Sequence, residues 1–598
     1  MSPAALAAGA ERPEALRAAT LCEAFQLTAS RFAGKPALAA FGSDRTWTWA
    51  QYAETVRRRA AGLAALGVAR GDTVGLLLTN QPEFNLTDTA AMHLGAVCWS
   101  IYATAAPEQM EHMLRNAESR VVVTQPELLG RLLAVRERLP DLERVVVVGG
   151  AGVPEGLISM DAVEALGDPR FDFEAAWRAV RPDDVLCLIY SSGTTGPSKG
   201  VELTHHNMLS QLRAFDAVYP ITPGGRCISF LPSAHVADRW CTHYSSMVYG
   251  SAVTSLSETK KLFACTAQVR PTVWGGVPRI WEKLKVALDG MLAGGADPQR
   301  RAAVEAALEV GMARVRARRA GGVPDDLERR WRDADAAIFS KVRAALGLDE
   351  VEAFAVGSAP TPPHILEFFA AIGIEIAEMW GLTECSSNAA INPPGAIKPG
   401  TVGKPLPGIE AKIAPDGEIL LRGPVVMKGY RHEPEKTAEA VDADGWLHTG
   451  DVGEIDADGY VRIIDRKKEL IINSAGKNMS PVAIESAIKG ASSLIGHAVA
   501  IGDARPYNVA LIVLDPEVAA GRAAGDPEIV REVEAAIERA NQRLARVEQI
   551  KRFHIVSGDW EVGGPLLTPT SKLRRRPIAE RYAREIDALY AGAREPQA

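Results

Sequence analysis

Residues 189–207 read IYSSGTTGPSKGVELTHHN, and this stretch decides the rest. The apolar run DVLCLIY before it predicts a buried strand, and VEL after it predicts a second short one. Thr204 is placed to cap a helix over HHNMLSQLRAF, in which Met208, Leu209, Leu212 and Phe215 share one face. Gly193, Gly196 and Gly200 allow positive φ and close backbone approach. Ser191, Ser192, Thr194 and Thr195 add hydroxyls beside backbone N–H groups, and Lys199 adds charge. Such a nest suits phosphate oxygens. A mobile Gly/Ser linker is the bland alternative, but a linker needs neither flanking strands nor paired hydroxyls.

Two common phosphate motifs do not fit. A Walker A loop starting at Gly193 needs glycine where Ser198 stands, and Ser or Thr where Gly200 follows Lys199. In VVVVGGAGVPEG, Gly150 and Gly152 match a dinucleotide fingerprint, but the third glycine, Gly156, falls one residue late.

The chain of 598 residues is too long for one core, since single cores stop growing at about 250–300 residues. A net charge of −7 and a pI near 6.0 argue against a general nucleic-acid binder. The seven cysteines are scattered and form no CxxC pair, which suits reduced thiols in a cytoplasmic protein better than a disulfide frame or zinc site. The first residues lack a signal-peptide pattern, and no apolar run approaches the roughly 20 residues that span a bilayer. Peripheral membrane contact is left open.

Residues 48–150 alternate helical periodicity (YAETVRRRAAGLAALG) with apolar runs (TVGLLL, RVVVT, RVVVVGG), which predicts an α/β fold with a mostly parallel sheet. Residues 298–346 read as two amphipathic helices with solvated arginine faces. From residue 399, short strands and glycine turns take over, with the aspartates of DADGW and DADGY as turn residues. After residue 480, a capped helix (SPVAIESAIKG) and a strand pair predict a smaller α+β module, with a boundary near 465. The final GAREPQA is expected to be disordered.

YSSGTTGPSKGV resembles the signature of adenylate-forming enzymes. WGLTE at 380, GWLHTGD at 445, DRKKELIINSAGKNMSP at 465 and TPTSKLRRR at 568 resemble that superfamily's later motifs, in order and spacing, across nearly the whole chain. LPSAHVADRW, GVPRIWEK and the helical segment before FAVGSAPTPPHILEFFAAIG resemble its long-chain fatty acyl-CoA synthetase branch. The resemblance implies a large N-terminal α/β domain, residues 1–464, with parallel-type sheets and a distorted barrel. It also implies a small mobile α+β domain, residues 465–598, hinged at Asp465. The implied reaction joins a fatty acid to AMP with ATP and Mg²⁺, then passes the acyl group to CoA.

By the same resemblance, Ser191, Ser192, Gly193, Thr194, Thr195, Gly196 and Lys199 hold the leaving diphosphate. Gly357, Ser358, Ala359, Trp380 and Gly381 surround the nucleotide, with Trp380 stacking on adenine where relatives often have Tyr. Thr383 binds phosphate, and Glu384 holds Mg²⁺. Asp451 and Arg466 take the ribose, and Lys572 offsets charge as the acyl-adenylate forms. His235 lies near the acyl carboxylate, whereas His205, His206 and His432 are structural. Gly476 and Lys477 line the CoA tunnel. Arg574, Arg575 and Arg576 read as a solvated basic face, with a phosphate or lipid headgroup as second choice. Ser198 departs from the proline that relatives often carry, at some cost in stiffness.

Three other readings stand beside the ligase: an acyl-AMP ligase loading a carrier protein, a ligase for another acid, and a non-catalytic nucleotide-binding protein. A homodimer is left open.

Overall fold

The computed structural model describes residues 12–149, 152–191, 198–293, 298–474, 477–558, 560–568 and 571–591. Ser192, Gly193, Thr194, Thr195, Gly196 and Gly476 lie outside the described residues. The chain forms two compact units. Met1–Ser358, Ile365–Ala411 and Leu420–His448 make the first, and Ala359–His364, Lys412–Ile419 and Thr449–Ala598 the second.

The largest sheet of the first unit has eight strands. From one edge they run Gly429–Tyr430, Lys199–Thr204, Val185–Ser191, Val97–Ser100, Thr73–Leu77, Val121–Thr124, Arg144–Val147 and Ile158–Ser159. Thr73–Leu77, Val97–Ser100 and Val121–Thr124 are buried at every position. Central parallel strands covered on both faces show this pattern, and it explains why these segments are apolar throughout instead of alternating. Lys199–Thr204 breaks the parallel run and pairs antiparallel with both of its neighbours. The strands on either side of residues 192–197 therefore pair as a hairpin, with Ser191 opposite Lys199 in register. The helix His205–Asp216 follows, closed by a capping box between Thr204 and Asn207, with Met208, Leu209, Leu212 and Phe215 buried.

A second sheet carries Val273–Gly276, Ala353–Val356 and Ile376–Trp380 in parallel, then Ala390–Ile391 and Lys404–Pro405 antiparallel. Because Ala353–Val356 and Ile376–Trp380 run the same way, the segments starting at Gly357 and Gly381 leave the sheet at its carboxyl end. Open α/β sheets bind ligands at that end. Trp281 is fully buried beneath this sheet, packed edge-on against Trp274 at 4.6 Å and Phe369 at 4.9 Å. The third sheet has four strands: Arg226–Ser229, Ala252–Ser255, Pro36–Ala40 and Thr46–Thr48.

The arginine-rich segment is helical as expected, over Pro298–Arg319 and from Asp325 to Leu346 with a π turn at Asp335–Phe339. Arg316, Arg318, Arg319, Arg329, Arg330 and Arg332 are exposed as expected, while Arg314 and Arg343 turn inward. Arg314 lies 4.0 Å over the Trp331 ring and pairs with Glu328, and Arg343 pairs with Asp335.

The second unit is α+β. Ile495–Ile501, Asn508–Leu514 and Ile550–Val556 form a sheet, with the helices Pro481–Lys489 and Pro527–Asn541 sharing its core. Strands Leu447–Ile455 and Val461–Arg466 form an antiparallel hairpin. The longest segment of the second unit starts within the first of these strands, at Thr449, ahead of Asp465. Asp456 confirms the turn reading of DADGY, since its carboxylate accepts from the N–H groups of Asp458 and Tyr460. Asp442 does the same for Asp444 and Trp446 in DADGW. Among the described residues no helix is long and apolar enough to cross a membrane.

Candidate active site

Hydrogen bonds pin the hairpin that carries the opening stretch on its return side. His112 Nε2 lies 2.9 Å from the Ser198 carbonyl, and Arg431 N–H donates to the Gly200 carbonyl at 2.8 Å. A side chain at Gly200 would be crowded, because its Cβ would stand 3.1 Å from the Tyr190 ring. The edge strand Gly429–Tyr430 sets Tyr430 opposite Val201. From there the Lys199 ammonium lies over the Tyr430 ring, 4.0 Å from its centroid.

Tyr430 reaches a second candidate residue. Its hydroxyl donates to Glu384 Oε1 at 2.8 Å. Glu384 sits in the one-turn helix Thr383–Cys385, directly after Ile376–Trp380. This turn is tightly built. Ser386 and Ser387 have φ of +59° and +102°, in the left-handed region. The Ser386 hydroxyl donates to the Val425 carbonyl at 2.7 Å, and Met427 N–H donates to the Glu384 carbonyl at 2.8 Å. Gly381 is required on steric grounds, since a Cβ there would stand 2.0 Å from the Ser387 carbonyl oxygen. Trp380 is buried, and Thr383 and Glu384 are half-buried. Gly357 approaches Met379 closely, and Ser358 is exposed with φ of +71°. Ala359 is exposed and counts with the second unit.

His235 caps the short helix Val236–Asp238. Its Nδ1 accepts from the Ala237 N–H at 3.2 Å, so a neutral ring carries its proton on Nε2. Behind it lies a fully buried charge cluster. The Arg239 guanidinium donates to the Ser233 carbonyl (3.1 Å), Asp88 (2.5 Å), Tyr244 (2.9 Å) and Ser100 (3.0 Å). His243 Nε2 lies 2.9 Å from the other Asp88 oxygen. Burial alone would raise the Asp88 pKa, but the Arg239 and His243 charges outweigh it and hold the carboxyl well below its usual range. Asp238 shows the opposite balance. Burial pushes it up to about 7, and hydrogen bonds from Ser229 and Thr242 offset only part of that.

In the second unit, Asp451 and Arg466 are direct cross-strand partners. Arg466 Nε lies 2.7 Å from Asp451 Oδ1, and the Asp451 carboxylate is buried while Arg466 is half-exposed. Asp465 is buried, and burial raises its pKa. Its Oδ2 accepts from the Ser480 hydroxyl (2.5 Å) and the Val482 N–H (3.1 Å), which cap the helix Pro481–Lys489. Lys477 is exposed, with its N–H donating to Asn473 at 2.9 Å. Lys572 is exposed beside Ser571, whose φ is +59°.

The model of the AMP-binding enzyme family matches residues 25–431. The chain belongs to this family. A model of the AMP-binding enzyme C-terminal domain matches residues 468–594. The chain is 49% identical to the provisionally named fatty-acid–CoA ligase fadD11 of Mycobacterium tuberculosis, over 74% of this chain and 80% of that one. It is 35% identical to the long-chain-fatty-acid–CoA ligase FadD15 of Mycobacterium bovis, over 92% and 93% of the two chains. A solved anthranilate CoA ligase, AuaEII in complex with anthranoyl-AMP, shares the fold with a TM-score of 0.73, at 22% identity over 95% of this chain and 98% of that one.

For this AMP-binding enzyme, one sequence reading needs correction and one residue was missed. Arg575 is not part of a solvated basic face. It pairs with Glu485 at 2.6 Å and Glu469 at 3.1 Å, because the turn after Lys572 directs it inward, while Arg576 stays exposed beside Glu580. Tyr430 was missed because MKGYRHEP carries no charge pattern that sets its tyrosine apart. Only the antiparallel edge pairing brings it to Lys199.

Proposed function

We propose that this AMP-binding enzyme is a long-chain fatty acid–CoA ligase. It converts ATP, a fatty acid and CoA to acyl-CoA, AMP and diphosphate. The observation that carries this is the Lys199–Tyr430–Glu384 constellation. One ring gathers the end of the phosphate-type hairpin and a carboxylate at the carboxyl end of the neighbouring sheet. The chain that holds it resembles named fatty-acid–CoA ligases along most of its length.

In the first step a fatty-acid carboxylate oxygen attacks the α-phosphorus of ATP, and the bond to the bridging oxygen breaks to release diphosphate. Lys199 and the hydroxyl-rich hairpin take the diphosphate charge. Trp380 offers an apolar face to adenine, and Gly381 keeps the backbone there close-packed. Asp451, already aligned by Arg466, accepts from the ribose hydroxyls. The Nε2–H of His235 donates toward the acyl carboxylate, and Lys572 offsets charge on the α-phosphate. Glu384, with one oxygen fixed by Tyr430, fits a hard cation such as Mg²⁺, which when bound neutralises phosphate charge. In the second step the CoA sulfur attacks the acyl carbon and AMP leaves. The small C-terminal module, residues 465–598, turns about Asp465 between the steps, bringing the Gly476–Lys477 segment to CoA.

Purified protein with ATP, Mg²⁺ and palmitate should exchange labelled diphosphate into ATP and form palmitoyl-CoA when CoA is added. Exchange without thioester on CoA, but with transfer to a carrier protein, would point to the acyl-AMP ligase. No exchange with any carboxylic acid would remove the ligase reading altogether.

A further inference from the structure

The hairpin that carries Lys572 is closed by its own backbone. Thr568 N–H donates to the Lys572 carbonyl at 2.8 Å, and Lys572 N–H to the Thr568 hydroxyl at 3.0 Å. Arg574 N–H returns to the Leu566 carbonyl at 2.9 Å, and Leu567 bridges Leu573. These bonds shape the turn, and Leu566 and Leu567 seat it in an apolar core with Leu511 and Ile578, but none of these contacts ties it to the segment that carries Asp465. Arg575, the first residue of the following helix Arg575–Arg581, is placed to do that.

Arg575 makes a two-point contact with Glu485, at 2.6 and 3.0 Å, and a third contact with Glu469 at 3.1 Å. Glu485 is buried on Pro481–Lys489, where it also accepts from the Ala500 N–H at 2.9 Å. The first turn of that helix is held by Asp465 through Ser480 and Val482. Glu469 follows Asp465 in the same segment. Two sets of charged hydrogen bonds, joined by the helix Pro481–Lys489, thus link Asp465 to the guanidinium three residues after Lys572. A planar fork bound at three points fixes orientation as well as distance, which a lysine ammonium at that place would not. Burial raises the Glu485 pKa, and the Arg575 charge offsets only part of that rise.

We propose that Arg575 is a positioning residue for Lys572, tying the lysine's hairpin to the segment that carries Asp465. The two then move as one rigid piece. This rests on the proposed ligase reading, in which Lys572 serves adenylation and Asp465 is the hinge.

The test uses the full-length protein and reads the two half-reactions separately. Diphosphate exchange with palmitate reports adenylation, and CoA thioester formation from supplied palmitoyl-AMP reports transfer. Arg575→Gln should lower kcat for exchange roughly 100-fold, the scale of a misplacement of about 1 Å, with the KM for ATP changed less than about threefold. Transfer should stay within about twofold of wild type. Arg575→Lys should recover part of the exchange rate, and Arg576→Ala, on the exposed neighbour, should change neither step. Equal loss of both steps would reduce Arg575 to a structural residue, and unchanged exchange would remove the proposal. If Arg575→Gln does not fold, Glu469→Gln decides. It removes the third contact and leaves the Glu485 pair, so exchange alone should fall about three- to tenfold, and no fall or an equal fall in both steps overturns the idea. If wild-type protein shows neither half-reaction, it is the ligase reading that fails.

Discussion

Tyr430→Phe isolates one bond in the candidate site. It removes the hydroxyl that donates to Glu384 at 2.8 Å and keeps the ring beneath Lys199. A hydrogen bond to a charged group is worth about 1.5–3 kcal/mol net. Glu384 is half-buried, so water can replace the lost donor and the lower figure applies. About 1.5 kcal/mol corresponds to a roughly tenfold loss in diphosphate exchange at limiting Mg·ATP. Tyr430→Leu also removes the cation–π contact, worth about 0.5–1 kcal/mol more, so its loss should reach roughly 50-fold. The assay is exchange with palmitate across a magnesium titration, beside thermal unfolding. Tyr430→Phe should move the magnesium midpoint upward and shift the unfolding midpoint by no more than a few degrees. If it exchanges at the wild-type rate at every magnesium concentration while Tyr430→Leu is impaired, the ring packs but its hydroxyl does not orient Glu384.

Lys572→Ala should lower exchange by about 10²–10³-fold and spare thioester formation from supplied palmitoyl-AMP, since only the first step develops charge where a positioned cation helps. Gly381→Ala should both unfold at lower temperature and lose exchange. Its Cβ would meet the Ser387 carbonyl at 2.0 Å, and overpacking of a rigid turn costs about 1–3 kcal/mol or more. An active, equally stable Ala variant would contradict the packing described for the Glu384 turn. Asp238→Asn should change the pH dependence of stability. The folded carboxyl titrates at about 7 against 3.8 unfolded. Between those values the unfolded chain releases a proton that the folded chain keeps, so stability falls as pH rises through that window and levels off above it. The full effect is on the order of 4 kcal/mol. Chemical denaturation at pH 5 and pH 8 should therefore show the variant gaining on wild type at the higher pH, and a gap that does not depend on pH would refute the assignment.

The fold class was legible because burial leaves a strong trace. TVGLL and VVVT are apolar at every position, which only strands covered on both faces require. The capped helix after Thr204, the two DADG turns and the strand pair after residue 490 were legible for the same local reasons. The two strands that flank the opening stretch were legible too, but their antiparallel pairing was not. A Walker loop feeds directly into a helix and uses that helix's N-terminal N–H groups. Here the chain turns back as a strand, and the helix starts only at His205. The failure of the Walker spacing at Ser198 and Gly200 is thus the trace of a different connection, one that returns Lys199 beside the edge strand and so to Tyr430. Arg575 was misread for a simple reason. Three consecutive arginines look alike in sequence, and only the helix that begins at the second of them turns one guanidinium inward and leaves the next in solvent.

What sequence motifs could not convey is how their residues are held. The turn that presents His235 depends on Arg239, four residues on, which fixes the Ser233 carbonyl. Arg239 is wholly buried, and a buried guanidinium without a counter-charge would destabilise the fold by several kcal/mol. The counter-charge is Asp88, and the remaining donors are met by Ser100 and Tyr244. Asp88 and Ser100 belong to no motif. They lie on a helix and a strand of the large parallel sheet region, more than a hundred residues earlier in the chain. The geometry of a short motif is therefore set by an ion pair whose other half looks, in sequence, like one more acidic residue in an apolar helix. Only long-range packing makes it specific, because that packing excludes the water that would otherwise solvate both charges.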